Sequence, residues 1–473
     1  VMLVFILNRV RYFVFFVFIF LFACVSKDSS IIKVKDKSRD LAQILTAGKI
    51  VAVTDFTSTN YFIYKGEPMG YQYDMLVALA TELGVKLELI AENDPDEAMK
   101  MLKRGEVDIV ATNLIGVAGN YKNFEFTEPY QQTHQVLVQR KKFSKSSEDG
   151  NDLVRDQVSL ANKTVYVKTK SGALAVLKNI SIENNKIPIT IKEYSDGLTE
   201  SLVDLVSSGK IDFAVCDETS ARVEAPLYSN IDIETTIGTN QNVAWAVGKK
   251  SPDLLGKVNQ WLKTFVKGLG YANIYNKYYD NPYMAIMIKS EYFYTTKGKL
   301  SVFDEQIKSE SSRISWDWRL IASLIYQESK FNPYVKSESG AYGLMQFMPI
   351  TAEYFGIDHE ANPSLQLRMG VRYLKMLEKN MEDIRIPEKE RLKFVLAAYN
   401  AGYGHIIDAR NLAKKYGKDP NVWDNNVGFF IKNKVEFYND SVVRYGYLRG
   451  AETYRYVSEI LERYDHYKNI IRQ

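Results

Sequence analysis

Cysteine, histidine and proline are scarce in this chain of 473 residues, which carries two, four and 12 of them respectively. Two cysteines, Cys24 and Cys216, cannot build a disulfide framework, and neither cysteine nor histidine stands at a metal-ligand spacing, so no metal site is expected. An excess of one charge is also missing: 61 basic and 57 acidic residues leave a formal net charge of +4. That excludes the basic stripe on which nucleic-acid binding depends, and no nucleic-acid partner is expected. Low-complexity tracts are absent, and 46% hydrophobic with 25% charged residues is the composition of a chain that folds. One core cannot serve this length, so two domains and a leader are expected. Tyrosine, by contrast, is abundant at 32 residues; its ring suits cores and flat polar partners alike.

Near the N-terminus, Arg9 and Arg11 precede the apolar run "YFVFFVFIFLFA". A charged region followed by an apolar one has the order of an export signal, and the run is short for a bilayer span. The four residues "LFAC", ending at Cys24, resemble the lipobox of bacterial lipoproteins, although Phe22 is bulkier than that pattern usually carries. The resemblance implies a signal peptide over residues 1–23, a lipid on Cys24, a tether over residues 24–39 and a place on the periplasmic face of the outer membrane. An uncleaved apolar anchor starting at Val1 is the alternative, and either arrangement ties the chain to a membrane. A lipidated Cys24 leaves Cys216, within the apolar run "IDFAVCD", as a buried thiol.

From about residue 40 short β-type runs alternate with helical patterns: "KIVAVTDF", "YDMLVALATELGV", "KLELIA" and "VDIVATNL", then "TVYVK", "ITIKEY", "IDFAVCD" and "NVAWAVGK". This is an α/β signature in two sets, hence two lobes. The phrases "LKRGEVDIVAT" and "LVSSGKIDFAVC" correspond, with Gly105 and Gly209 as helix C-caps. Residues 41–279 resemble the periplasmic solute-binding proteins of the amino-acid type, through "GKIVAVTDF", "GYQYDMLVALATELGV", "GEVDIVATNL", "FTEPY" and "AWAVGKKSPDL". The resemblance implies a two-lobed domain over residues 40–282 that closes on a small ligand, an amino acid or a muropeptide, by hinge motion. It carries the family's amine-binding aspartate onto Asp217, for which a strand-end turn role is the alternative. The family's carboxylate-binding arginine falls on Asn120, whose amide cannot supply a charged fork.

Beyond residue 283 the patterns turn helical almost throughout: a connector is expected over residues 283–312 and a mainly α domain over residues 313–473. In "WDWRLIASLIYQES" the residues Trp318, Ile321, Ile325 and Glu328 recur every three or four positions and share a helix face. A carboxyl closing an apolar stripe is desolvated, which raises its pKa toward the range useful for proton donation; a helix-end glutamate with its head in water is the plain alternative. The neighbouring motifs decide between them. "ESKFNP", "GAYGLMQFMPITA" and "AYNAG", in that order, with "ETYRYV" after them, resemble the lytic transglycosylase domain of the goose-type lysozyme superfamily. The whole chain is thus expected to be an α/β two-lobed periplasmic binding domain followed by a mainly α lysozyme-like domain.

This second resemblance implies Glu328 as catalytic acid and base on peptidoglycan glycan strands, with Ser337, Gln346, Tyr399, Asn400 and Tyr456 binding substrate. Glycines 340, 343, 402 and 404 would allow turns beside an extended glycan. Ordinary glycoside hydrolysis uses two carboxylates, and the motifs supply one. The related enzymes instead let one glutamate protonate the bridging oxygen and then deprotonate the muramyl 6-hydroxyl, closing a 1,6-anhydro ring; no cofactor is needed. A muramidase using Asp358, Glu360 or Asp424 as a second carboxylate, and a ligand sensor with an inactive glycan-binding domain, are the competing readings.

Overall fold

The structure is a computed structural model that describes residues 37–112, 124–141, 153–183, 188–195, 199–295, 298–358 and 360–471. Cys24 and Asn120 lie outside them. Among the described residues no helix is long and apolar enough to cross a membrane.

The alternating first half folds into two open sheets. In the first sheet, β1 (Lys49–Thr54) lies parallel between β4 (Lys86–Ala91) and β5 (Ile109–Val110); β12 (Ala246–Gly248) runs antiparallel to β5 and to β6 (Phe124–Phe126) beyond it, giving the order β4-β1-β5-β12-β6. Ile50 to Thr54 are all buried, as expected of a parallel strand covered on both faces. Helices α1 (Tyr71–Leu83) and α2 (Pro95–Arg104) flank this sheet. Gly105 ends α2 in the left-handed region at φ 72° and returns its N–H to carbonyls of the last turn.

The second sheet has the order β11-β7-β10-β8-β9, built from β7 (Gln131–Arg140), β8 (Thr164–Lys168), β9 (Thr190–Tyr194), β10 (Phe213–Asp217) and β11 (Ile231–Val243). Strands β8, β9 and β10 are parallel, and β7 runs antiparallel to β10 and β11. Helices α3 (Gly172–Glu183) and α4 (Thr199–Ser207) belong to this lobe, and Cys216 is buried in its core. The chain crosses between sheets from β6 to β7 and returns from β11 to β12, which makes two lobes joined by two strands. Lys170 of the second lobe pairs with Asp94 at 2.9 Å and Asp96 at 3.1 Å in the first, bridging the lobes.

The segment read as a connector holds more than loop. It contains a short helix, Tyr283–Ile288, and strand β13 (Phe293–Tyr294), which extends β2 (Phe62–Tyr64) and β3 (Glu67–Met69) into a third sheet. The helical half follows with α5 (Asp304–Ser311), α6 (Trp318–Ser329), α7 (Pro349–Phe355), α8 (Pro363–Asp383), α9 (Glu388–Ala401), α10 (Tyr403–Lys415) and α11 (Gly450–Ile470). Helix α11 packs along α6 and α9, and also against β4 of the first lobe. One continuous apolar core therefore runs from Phe62 and Ile63 through Phe331 and Tyr467 to Ile321 and Leu396. Residues far apart in sequence stitch the same seam: the Tyr467 hydroxyl donates to the Gly66 carbonyl at 2.6 Å, and Tyr61 Oη lies 2.8 Å from His466 Nε2. Burial pushes the His466 pKa down to about 4, so near neutral pH this imidazole is uncharged.

Candidate active site

Helix α6 starts at Asp317, whose side chain accepts from the Arg319 N–H at 3.0 Å, and buries Ile321 and Ile325 completely. Its stripe delivers Glu328 one residue before the helix ends, where Lys330 turns left-handed at φ 50°. Glu328 keeps an edge open to solvent, yet the surrounding protein desolvates the carboxyl. Burial pushes its pKa up to about 7, against an opposing pull from the Tyr456 hydroxyl, which donates to Oε1. Tyr456 sits on α11 and is buried. The carboxylate and this phenol are thus held by two helices packed side by side.

Ser329, the next residue, fixes the loop in front of the site by donating to the Leu344 carbonyl at 2.8 Å. That loop, residues 335–347, is a tight double turn in which Tyr342 bridges both Lys336 and Phe347. Gln366 of α8 reaches into it: its Oε1 accepts from the Leu344 N–H at 2.7 Å and its Nε2 donates to Pro333 and Ala361 carbonyls. Gly343 has φ +82°, and a Cβ there would fall 2.4 Å from Gln366 Oε1, so this position requires glycine on two grounds.

The residues expected to bind substrate fall into three groups. Ser337 and Gln346 lie on the loop. Ser337 accepts from the Ala341 N–H at 2.9 Å, and the Gln346 amide nitrogen donates to Gly343 at 2.9 Å and Val335 at 3.1 Å. Both side chains shape the loop as well as facing its half-open surface. Tyr399 on α9 donates to the Met345 carbonyl at 2.6 Å, tying the loop to the helix, and its pKa is raised by burial and by the Glu328 charge nearby. Asn400, exposed at the end of α9, accepts from Thr453 of α11 at 2.8 Å. Burial first, and then the Glu328 charge, raise the pKa of both Tyr399 and Tyr456, so the three form one cluster. Among the described residues, burial and Tyr456 are the influences that shift Glu328, and no second carboxylate contributes. No cluster of potential metal ligands occurs among the described residues.

Asp217 is placed differently. At the end of β10 it caps the helix Glu218–Glu224, accepting from the Thr219 N–H at 3.0 Å and from the Thr133 hydroxyl at 2.9 Å, with the Thr219 hydroxyl on the same carboxylate. Burial raises its pKa, and these hydrogen bonds oppose the rise. Thr133, Thr219, Thr453 and Gln366 escaped the sequence reading. Only the Asp217-x-Thr219 spacing carried a local signal, that of a capping turn.

The solute-binding half matches the family of bacterial extracellular solute-binding proteins, family 3, over residues 49–281, and the helical half matches the transglycosylase SLT domain over residues 305–422. Curated relatives span both. A membrane-bound lytic murein transglycosylase F of Desulfosudis oleivorans is 33% identical over 433 residues, covering 90% of this chain and 91% of the relative. Proteins of that description from Idiomarina loihiensis, at 28% identity, and Vibrio vulnificus, at 29%, cover 91% and 98% of this chain and 91% and 88% of their own lengths. Among solved structures, an ancestral arginine-binding protein bound to arginine is 25% identical with a TM-score of 0.42, covering 49% of this chain and 98% of that one.

Proposed function

Because the chain belongs to the membrane-bound lytic murein transglycosylase F family and is a peptidoglycan lytic transglycosylase, we propose that Glu328 alone serves as its acid and base. The substrate bond is the β-1,4 link from N-acetylmuramic acid to N-acetylglucosamine. Protonated Glu328 gives its proton to the bridging oxygen as that bond breaks, and the acetamide or the enzyme stabilises the oxocarbenium-like centre. The carboxylate so formed takes the proton of the muramyl 6-hydroxyl, whose oxygen closes onto C1 of the same sugar. Atoms balance without water, and the attached nucleophile gains from proximity. The observation that carries this reading is a carboxyl poised at about 7 by burial and one phenol: near neutral pH such a group both gives and takes a proton readily. Ser337, Gln346, Tyr399 and Asn400 border the glycan in this account, and Tyr456 tunes the acid.

Tyr456→Phe tests that tuning. The lost hydrogen bond favoured the charged carboxylate, so the Glu328 pKa rises in the variant. The limb of kcat/KM that falls with rising pH is expected to move up by about one unit, with a rate loss of about 10-fold at its plateau. A pH-rate profile measures both, and an unmoved limb removes Tyr456 from the acid's control.

Ligand control by the solute-binding half is the second part of the proposal. It is supported by α11, which carries Tyr456 at one end and His466 and Tyr467, bonded to the first lobe, at the other. A small ligand, an amino acid or a muropeptide, that closes the lobes through Asp217 and its surroundings thereby acts on the element holding the acid. Titration of amino acids and muropeptide fragments, run beside lytic assays, is expected to show binding and rate changing together. Binding without any rate response contradicts it. The protein works in the cell envelope, and the proposal places it there through a lipid on Cys24 after removal of residues 1–23, with the solute-binding domain over residues 40–282, a connector to 312 and the lytic domain beyond. Mass analysis of the mature N-terminus checks the lipid.

A further inference from the structure

Helix α11 meets the candidate site twice. One turn before Tyr456, Thr453 is buried, and its hydroxyl donates to Asn400 Oδ1 at 2.8 Å. A spacing of three puts both side chains on one face of the helix, so the element that bonds the Glu328 carboxyl also bonds the last polar residue of α9. A threonine inside a helix commonly returns its hydroxyl to a carbonyl of its own preceding turn; this one reaches across to a neighbouring helix. The start of α11 is fixed against sliding, since a Cβ on Gly450 would fall 1.7 Å from the Ile431 carbonyl oxygen.

That bond decides which way an amide faces. A carboxamide carries an acceptor oxygen and a doubly donating NH2 group of similar size, and one left in water turns either way. Thr453 supplies a donor from the buried side, which takes the oxygen and turns the NH2 group away from α11. Asn400 is exposed, and among the described residues its NH2 group meets no protein acceptor. Its donors stand on a residue that borders the glycan in the lytic reading, and the sugars of such a strand offer acetamide and hydroxyl oxygens to accept them. We infer that Thr453 is a positioning residue: it holds the Asn400 amide as a donor toward an acceptor oxygen of the glycan, while Tyr456, on the same helix face, tunes Glu328. The role rests on the lytic reading and adds to it a residue that neither touches sugar nor exchanges a proton.

The test starts from the full chain with Glu328→Gln, which leaves strands uncut, and measures its affinity for purified glycan strands. Thr453→Val removes the hydroxyl and keeps the shape; affinity is expected to fall about 5- to 10-fold, the worth of one neutral hydrogen bond. Thr453→Ser should restore most of it. Asn400→Ala should lose at least as much, and Thr453→Val added to it should lose nothing further, because a residue acting through Asn400 then has nothing to orient. In the active chain Thr453→Val should raise KM by the same factor, with kcat and the pH limb governed by Glu328 unmoved, unlike Tyr456→Phe. Losses that add in the double variant, a serine variant as weak as the valine one, a moved pH limb, or a valine variant that binds like its parent each overturn the role alone. A Glu328→Gln parent that binds no glycan overturns the lytic reading and the role with it.

Discussion

Glu328→Gln is expected to lower lytic activity by about 10²- to 10⁴-fold while leaving the fold intact. The amide keeps an oxygen for the Tyr456 hydroxyl but has no proton to exchange with the bridging oxygen or the 6-hydroxyl. Stability provides a second readout with a definite sign. The folded-state pKa of Glu328 is raised from 4.5 to about 7, so the folded protein holds this proton more tightly than the unfolded chain does. That contribution is complete below pH 4.5 and is lost as pH rises through about 7. Above it the wild type carries a desolvated charge costing up to about 3 kcal/mol, reduced by the edge of the side chain that stays in water. Denaturant midpoints of wild type and variant should therefore coincide near pH 4 and separate by pH 8, with the variant the more stable. A variant that is weaker at pH 8 would mean that the carboxylate form is the one the fold prefers.

Lys434→Met is expected to have the largest effect on stability, a loss of about 3–5 kcal/mol. Lys434 and Asp408 are fully buried, with Nζ 2.7 Å from Asp408 Oδ2 and 2.8 Å from His405 Nδ1. The Asp408 carboxylate also accepts from the Arg444 and Tyr445 N–H groups at 2.8 and 2.9 Å, so the pair fastens the chain that leads into α11. Methionine matches the length of the stem but strands Asp408 as a buried charge. Urea midpoints measure the loss, and Asp408→Asn in the same chain should recover part of it. Since α11 holds Tyr456, activity should fall along with stability. A lysine variant as stable as wild type would contradict the ion pair.

Glu328 was legible as a candidate because the motifs around it outweigh a stripe that by itself favours a helix-end glutamate with its head in water. The apolar stripe of α6 predicts its face, and the ordered motifs around it predict its use. Tyr399 and Asn400 were legible for the second reason alone, and the structure adds why they stand where they do: one ties the loop to α9, the other meets Thr453. The two-lobed half was readable from its strand and helix alternation, since β4, β8, β9, β10 and β12 are short runs that each have a helix after them. Lys434 was not. In "IKNKVEF" it has the spacing of a surface lysine, and only packing against Asp408, 26 residues earlier, buries it. Contacts between halves were equally hidden, because Tyr61 and His466 are 405 residues apart and local periodicity holds no record of such a pairing. Asp217 reads two ways in sequence; in the structure its oxygens serve the helix that follows β10.

The proposed use of Glu328 as both acid and base, with the substrate's own hydroxyl as nucleophile, is tested most directly by mass spectrometry of muropeptides released from purified peptidoglycan by the wild type. Anhydro-muramyl ends, smaller by one water than reducing ends and missing from the Glu328→Gln digest, are the predicted result. Reducing ends in their place would contradict it and require a second carboxylate to activate water.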